Sequence, residues 1–213
     1  MKQSRNFFPR SRSVFDRIEG DVARFWDLSA GQPSPTGFPL NSARATVVAG
    51  SGFQQFFMVE RDFGPVVAAL ARQFGDETVS AVVVRPSPET LRAELGAYPG
   101  FCLPSVGIET SWGEAVREPF SGEEIDALVY QADTMAAVGS SGAWGAWSDR
   151  SWSIGWIAAS RPERVDLSGT DVDFYSVPET FEYFARPPNS LTREELQRTV
   201  HREFADMPTL HRP

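Results

Sequence analysis

The stretch Ala-Trp-Gly-Ala-Trp-Ser-Asp-Arg-Ser-Trp-Ser-Ile-Gly-Trp-Ile-Ala-Ala-Ser, residues 143–160, decides how this chain folds. Trp147 and Trp152 flank a turn, Ser148-Asp149-Arg150-Ser151. Beyond it Trp152, Ile154, Trp156 and Ala158 alternate onto one face, the period of two that a strand requires. The stretch therefore predicts a late, tryptophan-rich β-hairpin. If its first strand is regular, Trp144 lies on the face opposite Trp147. The spacing assigns Trp152 and Trp156 to the core and leaves Trp147, beside the turn, the more exposed.

Upstream, strand and helix patterns alternate. Val14, Ile18, Val22, Phe25 and Trp26 share one face of a helix over 13–28. Residues 46–49 and 53–59 read as two strands around a Gly50-Ser51-Gly52 turn. Asp62 caps a helix whose stripe runs from Phe63 to Phe74 and which Gly75 ends. Residues 78–84 form a short apolar run, the pattern of a strand covered on both faces. Ser87-Pro88 opens a short helix closed by Gly96. Two further strands are expected, at 101–103 and 106–109. A capping box, Ser121 with Glu124, predicts a helix over 121–136. After the hairpin come a strand at 172–175, a helix capped by Ser176 and Glu179, and a last helix boxed by Thr192 and Glu195. The expected class is α/β or α+β: one domain with a mixed or mainly antiparallel sheet flanked by helices. Residues 1–12 read as a disordered basic arm, 13–205 as the domain and 206–213 as a loose tail.

Composition narrows the function. The 213 residues carry a net charge of −8, and the first 44 hold +3 against −11 for the remainder. An acidic body repels nucleic-acid phosphates and attracts a basic partner. With one cysteine no intrachain disulfide forms, no apolar run is long enough to span a membrane, and a cytoplasmic home is expected. Cys102, between Phe101 and Leu103, reads as a buried small hydrophobe rather than the nucleophile of a Cys102–His201 pair. Two histidines and one thiol do not make a zinc site. The 49–52 and 139–142 stretches precede strands rather than helices, and the only lysine is Lys2, so neither is a phosphate loop. Asp166, Asp171 and Asp173 read as a solvated acidic turn. No metal and no cofactor is expected.

The segment from the 121–136 helix through Trp144, Trp147, Asp149, Arg150 and Trp152 resembles a recurrent pattern in bacterial toxin-immunity proteins. In these a Trp-bearing strand, an Asp-Arg turn and an apolar strand form a late hairpin. The resemblance covers residues 121–159 and contains no catalytic signature. Ser153 departs from it, standing where a charged residue is expected. It implies a non-enzymatic, cytoplasmic protein that neutralises a basic toxin by direct contact, and it makes those five residues the candidate contact surface. An exposed Trp beside Asp149 and Arg150 equally suits stacking on a sugar. Two other readings stay open: a carboxylate-based hydrolase with a Trp-lined cleft, and a regulatory or structural module of a larger assembly.

Overall fold

A computed structural model describes residues 7–29, 39–41, 45–52, 57–59, 63–120, 126–150, 154–183, 194 and 198. Its centre is a six-stranded sheet in the order β1-β6-β5-β4-β2-β3, with every neighbouring pair antiparallel. The strands are β1 (Thr46–Gly52), β2 (Thr78–Arg85), β3 (Gly100–Pro104), β4 (Thr134–Gly139), β5 (Trp144–Asp149) and β6 (Ile154–Ala159). The helices are α1 (Arg12–Ala23), α2 (Phe63–Phe74), α3 (Pro88–Leu95), α4 (Ile108–Arg117), α5 (Leu128–Gln131) and α6 (Val177–Tyr183). This is an α+β domain, and the hairpin read from residues 143–160 is β5–β6, but its turn is not at 148–151: Ser148 and Asp149 are strand residues paired with Gly155 and Ile154, and Trp147 stands directly opposite Trp156.

Alternation along the strands feeds two apolar layers. Trp144, Ala146, Met135, Ala137, Val79, Ala81, Val83 and Ile157 face α2 and α4. Trp147, Ala136, Val138, Val82, Ile154, Trp156 and Ala158 face the opposite way, toward α1 and the start of α6. Trp144 and Trp147 thus lie on opposite faces, and Ile154, Trp156 and Ala158 share one, as the alternation requires. Helix covers both faces, so β4, β5 and β6 are buried along their whole length.

Several elements differ from the sequence reading. Residues 106–109 do not form a strand: Val106 and Gly107, at φ 77, turn the chain and Ile108 and Glu109 begin α4. The 121–136 helix reduces, among the described residues, to the four of α5, and Thr134–Gly139 is a strand. Thr-Met-Ala-Ala-Val-Gly sits mid-sheet with no solvent face, so it has no polar residues to mark a period of two. Residues 57–59 form a 3-10 turn, and 53–56 lie outside the described residues. Tyr175 makes only an isolated bridge to Gly50. Gly50-Ser51-Gly52 is not a turn but the end of β1. A Cβ on Gly50 would stand 2.5 Å from Thr180 Oγ1 and 2.6 Å from the Trp156 ring, a close approach that only glycine permits.

The Ser176–Glu179 box closes as read: the Ser176 N–H and Oγ–H both donate to the Glu179 carboxylate, at 3.0 and 2.8 Å. Two side-chain placements overturn the expectation. Cys102 is exposed, because it points to the face opposite Phe101 and Leu103 on the edge strand β3. Residues 7–12 are not a free arm: Phe8 is buried and α1 begins at Arg12. His201, the 192–195 box and the tail lie outside the described residues.

Candidate functional site

Of the described hairpin residues, Trp144, Asp149 and Arg150 are held by side-chain hydrogen bonds, whereas the buried Trp147 indole N–H and Ser148 hydroxyl have no hydrogen-bond partner among the described residues. Trp144 points into the α2–α4 layer, and its indole Nε1–H donates to Asp76 Oδ2 at 2.6 Å. The other carboxylate oxygen, Oδ1, accepts the Ser141 N–H at 2.5 Å and the Ser140 hydroxyl at 3.4 Å. Asp76 follows Gly75, whose positive φ of 72 ends α2, so one buried carboxylate ties that helix end to the β4–β5 turn. Gly139 makes room for it: a Cβ there would fall 2.3 Å from Asp76 Oδ2. Trp147 lies in the α1 layer, 5.5 Å from the Trp26 ring, whose Nε1–H donates to the Ala137 carbonyl at 3.0 Å.

Asp149 ends β5 opposite Thr134, the first residue of β4. Asp149 itself is 2 % exposed. Oδ2 accepts the Thr134 hydroxyl at 3.0 Å and an Nη2–H of Arg85 from the end of β2. Arg85 also donates to Thr134 Oγ1, from Nε at 3.0 Å and Nη2 at 2.8 Å. The last residue of β2, the first of β4 and the last of β5 are thus bound into one cluster. Arg150 follows and donates from Nη2 to the Val129 carbonyl at 2.8 Å, satisfying an end group of α5. Its own N–H donates to the Asp133 carbonyl, and the Asp133 N–H donates to that of Arg85.

The expected contact surface is therefore corrected. Trp144, Trp147 and Asp149 are core residues, because a sheet covered by helix on both faces leaves no open side for them. Trp152 lies outside the described residues. Arg150 stays partly exposed, and the structure groups it with two residues the sequence reading passed over. Arg85 has a side chain 41 % exposed, and Tyr130 is 52 % exposed on α5. The signal for Arg85 was its position as the one charge ending the apolar run of β2. Nothing in the sequence marked Tyr130.

Asp149→Ala should cost about 2 kcal/mol, less than the loss of a fully buried ion pair, because the half-exposed Arg85 can turn to water. Urea unfolding measures this, and a loss below about 0.5 kcal/mol would show that the cluster does not hold the strand ends together.

Charge elsewhere is also paired. Arg12 lies 2.5 Å from Asp16 and 3.5 Å from Glu19, and it contacts Glu89 at the start of α3. Its guanidinium rests over the Phe15 and Tyr98 rings at 5.6 Å. Burial is the main cause raising the Glu19 carboxyl above the ordinary range, partly offset by Arg12. Glu89 is lowered by its own backbone N–H first and by Arg12 second. A carboxyl raised in the folded state opposes folding once ionised. Glu19→Gln should therefore slightly raise the melting temperature at pH 7, by less than about 0.5 kcal/mol in stability. The gain should vanish as pH falls below the usual carboxylate range, and a destabilised variant at pH 7 would refute it.

Asp166 accepts the Ser168 N–H at 3.0 Å and its hydroxyl at 2.6 Å, which lower its carboxyl in an exposed turn. Among the described residues no group of His, Cys, Asp or Glu is arranged to hold a metal ion. No described helix is long and apolar enough to cross a membrane. Among the described residues the buried carboxylates are Asp76 and Asp149, and both accept hydrogen bonds from donors of the chain itself.

The chain matches no protein-family model, no curated protein and no solved structure.

Proposed function

We propose that this chain is a protein-binding protein of the immunity type, acting in the cytoplasm, which neutralises a basic partner by direct contact. The observation that supports it is the hairpin end. Asp149, Thr134 and the α5 carbonyls lock Arg85 and Arg150 from behind, beside the exposed Tyr130. Arginine and tyrosine on rigid backbone are the residue types that dominate protein–protein hot spots. The overall charge of −8 favours encounter with a basic partner and predicts association that weakens with salt, while Arg85 and Arg150 themselves require acidic or carbonyl groups at the spot they touch on that partner.

Titration calorimetry against the product of the gene adjacent to its own tests the reading. One-to-one binding is expected, slowed on association by added salt. Tyr130→Ala should lose about 2 kcal/mol of affinity with no change in melting temperature. No association at low salt would overturn the partner, and full affinity in Tyr130→Ala would overturn the surface.

A further inference from the structure

A cleft of about 190 Å³ lies between the end of α1 and the β4–β5 turn, lined by Asp21, Arg24 and Phe25, by Ser80 of β2 and by residues 138–142. It stands at the opposite end of β4 and β5 from Thr134 and Asp149, so it is separate from the partner surface proposed above. Ser80 and Val138 are in register on neighbouring strands and form its base. Gly145, next in that row, lets the end of α1 close on β5: a Cβ there would stand 2.7 Å from the Phe25 ring.

Ser80 is the residue out of place. It is the one polar side chain between Val79 and Val83 in a strand buried on both faces, and it is 3 % exposed. A buried hydroxyl needs a hydrogen-bond partner. The one the chain supplies, Asp21 Oδ2, is 3.4 Å away, well beyond the roughly 2.7–2.8 Å usual for a hydroxyl donor. The facing turn is fixed by its own bonds. The Ser140 N–H donates to the Thr78 carbonyl and the Gly142 N–H to that of Gly139, both at 2.9 Å, and the Ser141 N–H donates to Asp76. Ser141 Oγ accepts the Ala143 N–H at 3.2 Å, which leaves its O–H to donate.

These groups select a ligand by charge and by hydrogen bonding. Arg24 donates to Asp21 Oδ1 three residues back on the helix, so the wall carries one acid and one base and no net charge. Asp21 repels an anion, Arg24 repels an ammonium, and a zwitterion has to split the pair. Two adjacent hydroxyls bridge it instead: one O–H donates to the carboxylate and the neighbouring oxygen accepts from the guanidinium. Ser80 and Ser141 offer two more hydroxyl partners, and Phe25 and Val138 give ring C–H groups an apolar contact. We propose that this cleft binds one ring of a neutral sugar through a pair of vicinal hydroxyls, with Asp21 and Arg24 as the bridged pair and Ser80 at the base.

Two-dimensional NMR of the nitrogen-15-labelled full chain, titrated with D-glucose, D-mannose and D-galactose, tests it. At least one of the three should give saturable shifts at the amides of Arg24, Ser80 and residues 139–142, with half-saturation near about 1–10 mM, since a single ring makes few contacts. Glycine at the same concentrations should leave those amides in place. Ser80→Ala should weaken sugar binding at least about tenfold by removing a hydroxyl from the base. Arg24→Ala should do the same from an exposed position, with a side chain 72 % exposed, so it serves if Ser80→Ala does not fold. No saturable shift at residues 139–142 with any of the three sugars up to about 100 mM overturns the site. So does sugar binding that the folded variants leave unchanged. Glycine binding there as tightly as the sugars overturns the ligand class.

Discussion

Trp144→Ala is expected to destabilise the domain by about 5 kcal/mol, the largest loss of any single substitution in the hairpin. Truncating a fully buried tryptophan leaves a cavity that a close-packed interior fills only in part, which accounts for about 3–5 kcal/mol. A second loss adds to the first. The indole N–H is one of the donors that satisfy the buried Asp76 carboxylate, and hydrogen bonds to charged groups contribute about 1.5–3 kcal/mol. The two losses overlap, because Asp76 can draw in water once the ring is gone. Trp144→Phe separates them by keeping most of the apolar bulk and removing the donor, and it should cost about 2 kcal/mol. Asp76→Ala should cost a similar amount, and the double variant less than the sum, since both remove one interaction. Urea unfolding of the four chains measures the cycle. A Trp144→Phe cost below about 0.5 kcal/mol would show that the Asp76 bond contributes nothing.

Elements that carry their own punctuation were legible in the sequence. α2 has an apolar stripe ended by Gly75, α3 has Ser87-Pro88 before it and Gly96 after it, and α6 has its capping box; each stands where it was read. The β5–β6 hairpin was legible because tryptophans at odd and even positions fix the alternation. β4 was not, because a central strand buried on both faces shows only apolar residues, and a nearby helix signal then extends over it. α4 was missed because Trp112, Ala115 and Val116 complete its stripe only if Ile108 is counted as helical. The site failed for a related reason. Four tryptophans and an Asp-Arg pair resemble a contact surface when the layers above the sheet are unknown, and only the fold shows α1 on one side and α2 with α4 on the other. The burial of Asp149 depends on Arg85, 64 residues earlier in the chain, a pairing that no local pattern announces.

Gly64→Ala should cost about 3 kcal/mol, although helix propensity alone predicts a gain of about 1 kcal/mol from the same change. Gly64 lies in the first turn of α2, and a Cβ placed on it would stand 2.1 Å from the Glu109 carbonyl oxygen in the first turn of α4. The obstacle is backbone, so no side-chain rotation relieves it, and the two helices must separate by about 1 Å. That movement acts on the contacts just beyond. Phe63 meets the Trp112 ring edge-on at 5.3 Å, and the Trp112 Nε1–H donates to the Met58 carbonyl at 2.8 Å. Opening the helix pair therefore loosens a buried aromatic cluster and strains a buried hydrogen bond together, which is why the loss should exceed that of an ordinary methyl group forced into a core. Gly20 provides the control, because a Cβ there meets nothing within 4 Å in the middle of α1. Gly20→Ala should raise stability by roughly the propensity difference, about 0.5–1 kcal/mol. If thermal unfolding finds both substitutions stabilising, α2 and α4 do not touch at Gly64, and the packing of that layer described above is wrong.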